Sequence, residues 1–336
     1  MKLGQIGIIG AGHIGGSIAR ALTAAGESVS VFDRSESTHA EAVGAGLRTS
    51  SSVHNLVQQS DIVIIATPMS QYPNIFTELA RHLKAEKVGP LILDVGSVQG
   101  VLHNLAGASG SFRFIGTHPM AGTELQGFAA SRSDLFSSAT WAITPPAGTC
   151  NVDLLQAMRI VQACGAHSLV IDVATHDNIA SQVSHVPHVV SSLVATSIRG
   201  STQDLALSLA AGSFRDITRV AASSPQFTTD LVTKNRAEVQ RSINRLVEQL
   251  LQIRDALGHD EHHLIRHFES ARGVRQQLMS REFAVRLHFV PKQSDYDLAE
   301  ELRTICHDGS RIDSCEITTD GYRVRVLSML GSDPND

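Results

Sequence analysis

The sequence predicts an α/β chain: a doubly wound sheet at the N-terminus, an all-helical segment after it, and a small α+β module at the C-terminus. Three changes of texture predict this. Residues 5 to about 172 alternate short β-rich runs with helical stretches, apolar positions recur every three or four residues from Ala174 to about Gln277, and alternation by two returns after Ser280. The 336 residues suit this division, since a domain takes roughly 150. The expected boundaries are a first domain at 1–172, a helical domain at 173–279 and a βαββ module at 280–336.

Gln5–Ile9, Ser28–Phe32, Ile62–Ala66, Leu91–Asp94, Phe114–Gly116, Trp141–Thr144 and Ser168–Ile171 read as strands. Alternation with helices implies a parallel sheet covered on both faces. The run Ile62-Val63-Ile64-Ile65-Ala66 is apolar without alternation, as befits a strand buried on both sides. In the second segment Val232, Val239, Ile243, Leu246, Leu250, Ile253 and Leu257 make an apolar stripe, and no proline falls between Pro225 and Pro291, so one or two long helices are expected. Long helices with few aromatics bury little unless covered from both sides, which points to a homodimer through this segment. In the third, Phe283–Val290 alternates as a strand, Tyr296–Cys306 is helix-like, and Ile312–Thr318 with Tyr322–Leu327 across Asp320-Gly321 reads as a hairpin. This module is expected to be regulatory or structural. Residues 331–336 read as a frayed tail.

Lys and Arg number 28 against 33 Asp and Glu, a net charge of −5, so no broad positive field is available for nucleic acid or an anionic membrane. Any anionic ligand must be held by a few placed cations. No apolar run approaches the roughly 18 residues of a membrane span, and the glycine-rich start lacks a cleavable leader's pattern. Four widely spaced cysteines without a CxxC pair fit a reducing compartment, so a cytoplasmic protein is expected.

Gly10, Gly12 and Gly15 form GxGxxG directly after the first strand and at the start of a helix. Glycines there allow a tight turn and close backbone approach to a pyrophosphate, and the helix N-terminus offers amide donors. His13 and Ile14 lie inside the motif. Asp33 ends the second strand about 20 residues on, where a carboxylate can accept from ribose hydroxyls and repel a 2′-phosphate. NAD is the expected cofactor, with NADP as the alternative because Arg34 stands next door. Ala66-Thr67-Pro68, Asp94-Val95-Gly96-Ser97 and Gly116-Thr117-His118-Pro119-Met120-Ala121-Gly122 all follow strands at the carboxyl edge, where open α/β sheets bind ligands. That edge singles out His118 among 16 histidines.

The helical half holds Ser184-His185-Val186-Pro187-His188 and Phe214-Arg215-Asp216-Ile217-Thr218-Arg219. His185 and His188 lack a nearby third ligand and have a proline between them, so no metal site is expected. His259, His262, His263 and His267 sit among charged residues and read as a solvated face. Arg215 and Arg219, four apart, would share a helix face. A planar guanidinium is the natural clamp for a substrate carboxylate.

Together GxGxxG, DVGSV, GTHPMAGTE, the HDxxAxxxSHxPH run from His176 to His188 and FRDITRVA from Phe214 to Ala221 resemble the prephenate and arogenate dehydrogenases of tyrosine biosynthesis, in the family's order over residues 5 to about 280. The resemblance implies a Rossmann-type cofactor domain, a helical domain that forms the homodimer, and an active site between them. It implies NAD-dependent oxidative decarboxylation of prephenate to 4-hydroxyphenylpyruvate, or of arogenate to tyrosine. Carried over, His118 is similar to the catalytic histidine that bonds the substrate's ring hydroxyl, and Ser97 to the serine that orients it near the nicotinamide. Thr123 and Glu124 match active-site positions, His188 a substrate-contacting histidine, and Arg219 the arginine on a substrate carboxylate, with Asp216 orienting it. Thr67, Pro68 and Ser97 join Gly10, Gly12, His13, Ile14, Gly15, Asp33 and Arg34 as expected cofactor contacts. Two departures stand out. Thr228 occupies the place, three residues after Pro225, where the family often has tryptophan, and the C-terminal module is short for the ACT-type regulatory domain that some members carry.

Two other readings stand beside this one. A β-hydroxyacid-type dehydrogenase or imine reductase would share the cofactor fold and a helical second domain, but would call for a lysine in the helical half, where Lys234 alone lies between Ala174 and Gln277. An NAD sensor without turnover would keep the cofactor motif only.

Overall fold

The computed structural model describes residues 3–83, 89–110, 112–123, 125–295 and 297–329. The first half alternates as the sequence predicts. Strand β1 (Gln5–Ile9) is followed by α1 (His13–Ala24), β2 (Ser28–Phe32), α2 (Glu36–Gly44), β3 (Arg48–Thr49), α3 (Val53–Gln58), β4 (Ile62–Ile65), α4 (Tyr72–Leu83), β5 (Leu91–Asp94), α5 (Gln99–Ser109) and β6 (Arg113–Pro119). Next come β7 (Thr140–Thr144), α6 (Asn151–Ala163) and β8 (His167–Val170). Neighbouring strands β3-β2-β1-β4-β5-β6 pair in parallel, in that order. This is the Rossmann strand order, and it reverses direction between β1 and β4. Alternate residues of the apolar runs serve two cores on opposite sides of the sheet: Ile62 and Ile64 join one, Val63 and Ile65 the other. Both faces are therefore apolar at once.

The expectation of an all-parallel sheet is corrected beyond β6. Strand β7 runs antiparallel to β6, with His118 opposite Ala142 and Pro119 opposite Trp141. A parallel return needs a crossover, usually a helix. The described residues of the 120–139 connection carry only a short 3₁₀ turn, Phe128–Ala130. Pairing with β7 also carries β6 past the expected Gly116 end, through His118 to Pro119. The two-residue β3 is too short to leave a pattern in sequence.

The helical half comprises α7 (Val173–Ala180), a π-helical turn (Ser181–His185), α8 (Val186–Ser197), α9 (Gln203–Leu209), α10 (Gly212–Thr218), a 3₁₀ turn (Arg219–Ala222), α11 (Pro225–Lys234), α12 (Arg236–Ala256) and α13 (Glu261–Met279). On the single chain the last two helices leave Leu250, Leu257, Phe268 and Val274 exposed. No helix among the described residues is long and apolar enough to cross a membrane.

After α13 come β9 (Phe283–Pro291), α14 (Leu298–Cys306), β10 (Arg311–Ile317) and β11 (Gly321–Met329). This is the expected βαββ order; Tyr296 and the residues from 330 on lie outside the described residues. The module joins the first sheet: Ile312 of β10 pairs with Ser168 of β8, and the order runs on as β8-β10-β11-β9. Leu298, Leu302, Val324 and Val326 belong to the same apolar core as Ile8 and Trp141. A polar fastener completes the joint. Buried Asn151, the first residue of α6, donates through Nδ2 to Ser294 O, Asp297 Oδ1 and Tyr322 Oη at 2.8–2.9 Å, and its Oδ1 accepts from Leu298 N at 3.0 Å. Asn151→Ala leaves the buried Tyr322 Oη and Leu298 N without this partner and should cost about 1–3 kcal/mol. The denaturation midpoint should fall, with proteolytic nicking concentrated at 280–297; an unchanged midpoint would contradict the fastening role.

Candidate functional site

The first half of the site is built from backbone. After β1 the chain turns at Gly10, whose φ of +98° suits glycine and whose N donates to Phe32 O at 2.8 Å. A side chain on Gly15 would fall on the Gly10 carbonyl oxygen, so the turn closes only with glycine there. Gly12 borders open space and is the N-cap of α1 without any capping side chain. The first amides of α1, with the helix's partial positive charge, therefore stand beside that space. Asp33 follows β2 directly; its Oδ2 accepts from Ala11 N at 2.8 Å and its Oδ1 from Ser35 N at 2.9 Å. Each oxygen keeps acceptor capacity for another donor. Arg34 is exposed and donates to Gln71 Oε1 at 3.2 Å.

Two buried polar atoms beside this turn lack a partner among the described residues: Thr67 Oγ1, after β4, and His13 Nε2. Buried polar groups rarely go unpaired without cause. His13 Nδ1 donates to Leu125 O at 3.0 Å, tying the loop after β6 to α1, and half-buried Ile14 follows. Pro68 leads into the short turn Met69–Gln71. A glycine cradle, an uncapped helix start, a carboxylate after β2 and two unmet polar atoms fit the pyrophosphate and ribose of a dinucleotide.

The second half is built from side chains. Asp94 closes β5 with no exposure. Burial pushes its carboxyl up to about 7, opposed by hydrogen bonds from Gly96 N, Thr117 N and Gln99 Nε2. Gln99 Nε2 also donates to Gly96 O and Thr117 O, each at 2.9 Å, and Gln99 Oε1 accepts from Thr144 Oγ1 at 2.9 Å. Trp141 Nε1 donates to Thr117 Oγ1 at 2.9 Å, which in turn donates to Asp94 O. The network locks the turn bearing Ser97 to the strand end bearing His118.

His118 is 8% exposed and meets the helical half. Its Nδ1 lies 3.0 Å from His176 Nε2, and His176 Nδ1 lies 2.8 Å from Asp177 Oδ1. The same carboxylate accepts from Gln99 N and Gly100 N, both at 2.8 Å. These amides open α5, whose N-cap, Val98, offers no capping side chain. Asp177 thus caps α5 from the other half of the molecule. Burial holds the His118 imidazole well below the usual histidine range, and neighbouring His176 and His185 add to this. His185 is wholly buried; Asn235 Nδ2 donates to its Nδ1 at 3.2 Å while also donating to Asp177 O at 2.7 Å. Burial lowers His185 to about 4 against the pull of Asp177.

Ser97 is half-buried in the turn after β5. The hydrogen bond at His118 Nδ1 goes to His176, a residue quoted in the motif but given no role. The neighbouring His-Asp pair was the available signal. His188, half-buried, donates through Nδ1 to Ser184 O at 2.8 Å, and the ring of Phe227 meets it edge-on with centroids 5.8 Å apart. An aromatic therefore stands here one position before Thr228. Arg219 and Asp216 are exposed, and the turn that Arg219 opens packs on α8, which carries His188. Thr123 is exposed in the loop after β6 and accepts from Leu125 N at 3.2 Å; Glu124 lies outside the described residues.

Family models for the prephenate dehydrogenase nucleotide-binding domain and dimerization domain match residues 18–170 and 172–270. The chain belongs to the prephenate dehydrogenase family. The Bacillus subtilis (strain 168) prephenate dehydrogenase is 31% identical over 285 residues, 82% of this chain and 76% of that one. Aquifex aeolicus prephenate dehydrogenase, solved in complex with hydroxyphenyl propionate and NAD+, superposes with a TM-score of 0.73 at 26% identity, covering 83% of this chain and 99% of that one. Synechocystis arogenate dehydrogenase gives 0.70 at 27% identity, covering 82% and 99%. The first match begins after Gly15 and the second ends before β9.

Proposed function

We propose that the chain catalyses the NAD-dependent oxidative decarboxylation of prephenate to 4-hydroxyphenylpyruvate, acting as a homodimer through the helical half and, with no membrane-crossing helix described, in the cytoplasm. The observation that carries this reading is His118: a buried, neutral imidazole where the carboxyl edge of the sheet meets the helical half, within a family whose relatives bear this activity in their names. Arogenate is the second reading, favoured by the likeness to the Synechocystis enzyme.

Gly10, Gly12, Gly15 and the first amides of α1 receive the pyrophosphate. Asp33 accepts from the adenosine ribose, with Arg34 beside it, and His13, Ile14, Thr67, Pro68 and Ser97 line the rest. NAD, when bound, supplies the acceptor for the hydride that leaves the hydroxyl-bearing ring carbon as the opposite carboxylate departs as carbon dioxide and the ring becomes aromatic. His118 takes the hydroxyl proton, a role that requires a neutral imidazole. Arg219, oriented by Asp216, fixes a substrate carboxylate, and His188, Thr123 and Glu124 complete the substrate contacts. The base is on the sheet and the clamp on the helices, so the substrate has to bridge the two halves.

Incubating the chain with NAD and either prephenate or arogenate, and following absorbance of the reduced cofactor, separates the two substrates from an NAD-binding protein without turnover. His118→Ala should lower kcat by about 10²–10⁴-fold while NAD still binds; normal turnover would remove His118 from the mechanism. The neutral form of His118 is the active one and its pKa is depressed, so the rate should fall only as pH drops below the ordinary histidine value near 6.5. An acid limb above that value would contradict the geometry. Asp33 should make NAD the better cofactor by KM, and NADP preference would overturn its role.

A further inference from the structure

The hydrogen bonds at His118 fix which nitrogen carries which proton. Asp177 accepts from three donors, Gln99 N, Gly100 N and His176 Nδ1, which is how an ionised carboxylate is satisfied. His176 Nδ1 therefore bears the hydrogen, and its Nε2 is an acceptor in the neutral ring. That acceptor lies 3.0 Å from His118 Nδ1, so His118 Nδ1 must be the donor. The bare nitrogen of His118 is then Nε2. A hydrogen on Nε2 instead would set two lone pairs against each other between the rings.

We infer that His176, held by Asp177, is a positioning residue and proton relay for His118: it keeps Nε2 of His118 free to act as base and receives the Nδ1 proton as the substrate's proton arrives. This rests on the reading of His118 as the base. In the step, the substrate O–H bond breaks and its proton bonds to His118 Nε2. The His118 Nδ1–H bond breaks and that proton bonds to His176 Nε2. His118 ends neutral with its hydrogen on Nε2, and His176 ends as an imidazolium whose Nδ1–H faces the Asp177 carboxylate. No electron pair leaves the protein, and the positive charge comes to rest beside the one carboxylate placed to meet it.

The groups around this pair favour that resting place. His185, on the π-helical turn, is kept neutral by burial. His103, on α5, is held below its usual value by burial, with Asp177 opposing, and lies 3.1 Å from Thr144 Oγ1 through Nε2. Neither supplies a competing positive charge. His176 is 3% exposed, so water does not compete for its Nε2.

The test pairs two substitutions with a measurement that needs no turnover. His176→Ala should lower kcat by about 10²-fold, and His176→Gln should recover about tenfold of that loss, because an amide can donate to Asp177 and accept from His118 but cannot take the proton. KM for NAD should stay within about twofold in both. His176 is one of the neighbours that depress His118, so in His176→Gln the acid limb of kcat should move to higher pH. A purely structural role for His176 would lower the rate without moving the limb. Unchanged kcat and an unmoved limb in His176→Gln would overturn the relay. Independently, long-range ¹⁵N–¹H correlation on the substrate-free parent should show His118 with its hydrogen on Nδ1; a hydrogen on Nε2 overturns the proposal. If neither prephenate nor arogenate is turned over while His118 shows the Nδ1–H form, the base assignment and the relay fail together and only the hydrogen-bonded arrangement of the pair stands.

Discussion

One carboxylate, that of Asp177, holds two demands together. It caps α5, whose own N-cap residue is a valine, and it anchors His176 on the line to His118. The cap comes from a residue 78 positions away in sequence from Gln99. The first turn of α5 is therefore satisfied only when the helical half is docked on the sheet. The hydrogen bonding of His118 is then a by-product of docking, because the same oxygen that takes Gln99 N also takes His176 Nδ1. A site made this way cannot be assembled by either half alone.

The two sides of the site follow different physical rules. The nucleotide side uses main-chain amides, a helix end and glycines, groups whose positions follow from the strand order and need few particular side chains. The reaction side is a buried side-chain network in which each member satisfies another. Asp94, Gln99, Thr117, Thr144 and Trp141 fix the sheet end, while His118, His176 and Asp177 reach across the seam. Low local polarity makes such networks costly when incomplete and rigid when complete. Imidazoles suit it because burial can hold them neutral near physiological pH, as at His118, His185 and His103.

Elements with a strong period were legible in the sequence. Runs such as Ile62–Ile65 and Leu91–Asp94 name their strands because both faces are buried, and the α12 stripe names a long helix. Gly10, Gly15 and Asp33 were legible because the local turn demands those residue types. What escaped has no local signature. The direction of β7 depends on the absence of a crossover helix over residues 120–139, and β3 is two residues long. The link from His118 to His176 spans 58 positions; a His-Asp dipeptide at the start of a helix reads as surface until the packing of α5 on α7 is known. Phe227 escaped because the motif directs attention to position 228.

The sequence admits a regulatory or a structural C-terminal module, and its joint to the first sheet argues for structure. Without β10 the β8 strand would be a bare edge, and unpaired edges recruit other chains. Leu298, Leu302, Val324 and Val326 would also leave the core they share with Trp141. The attachment is made at α6, through Asn151, and α6 is in turn fastened to β6 by the Asp153–Arg113 ion pair. Strand β6 carries His118 at its other end. The module thus secures the helix that braces the strand carrying His118, which ties it physically to the site.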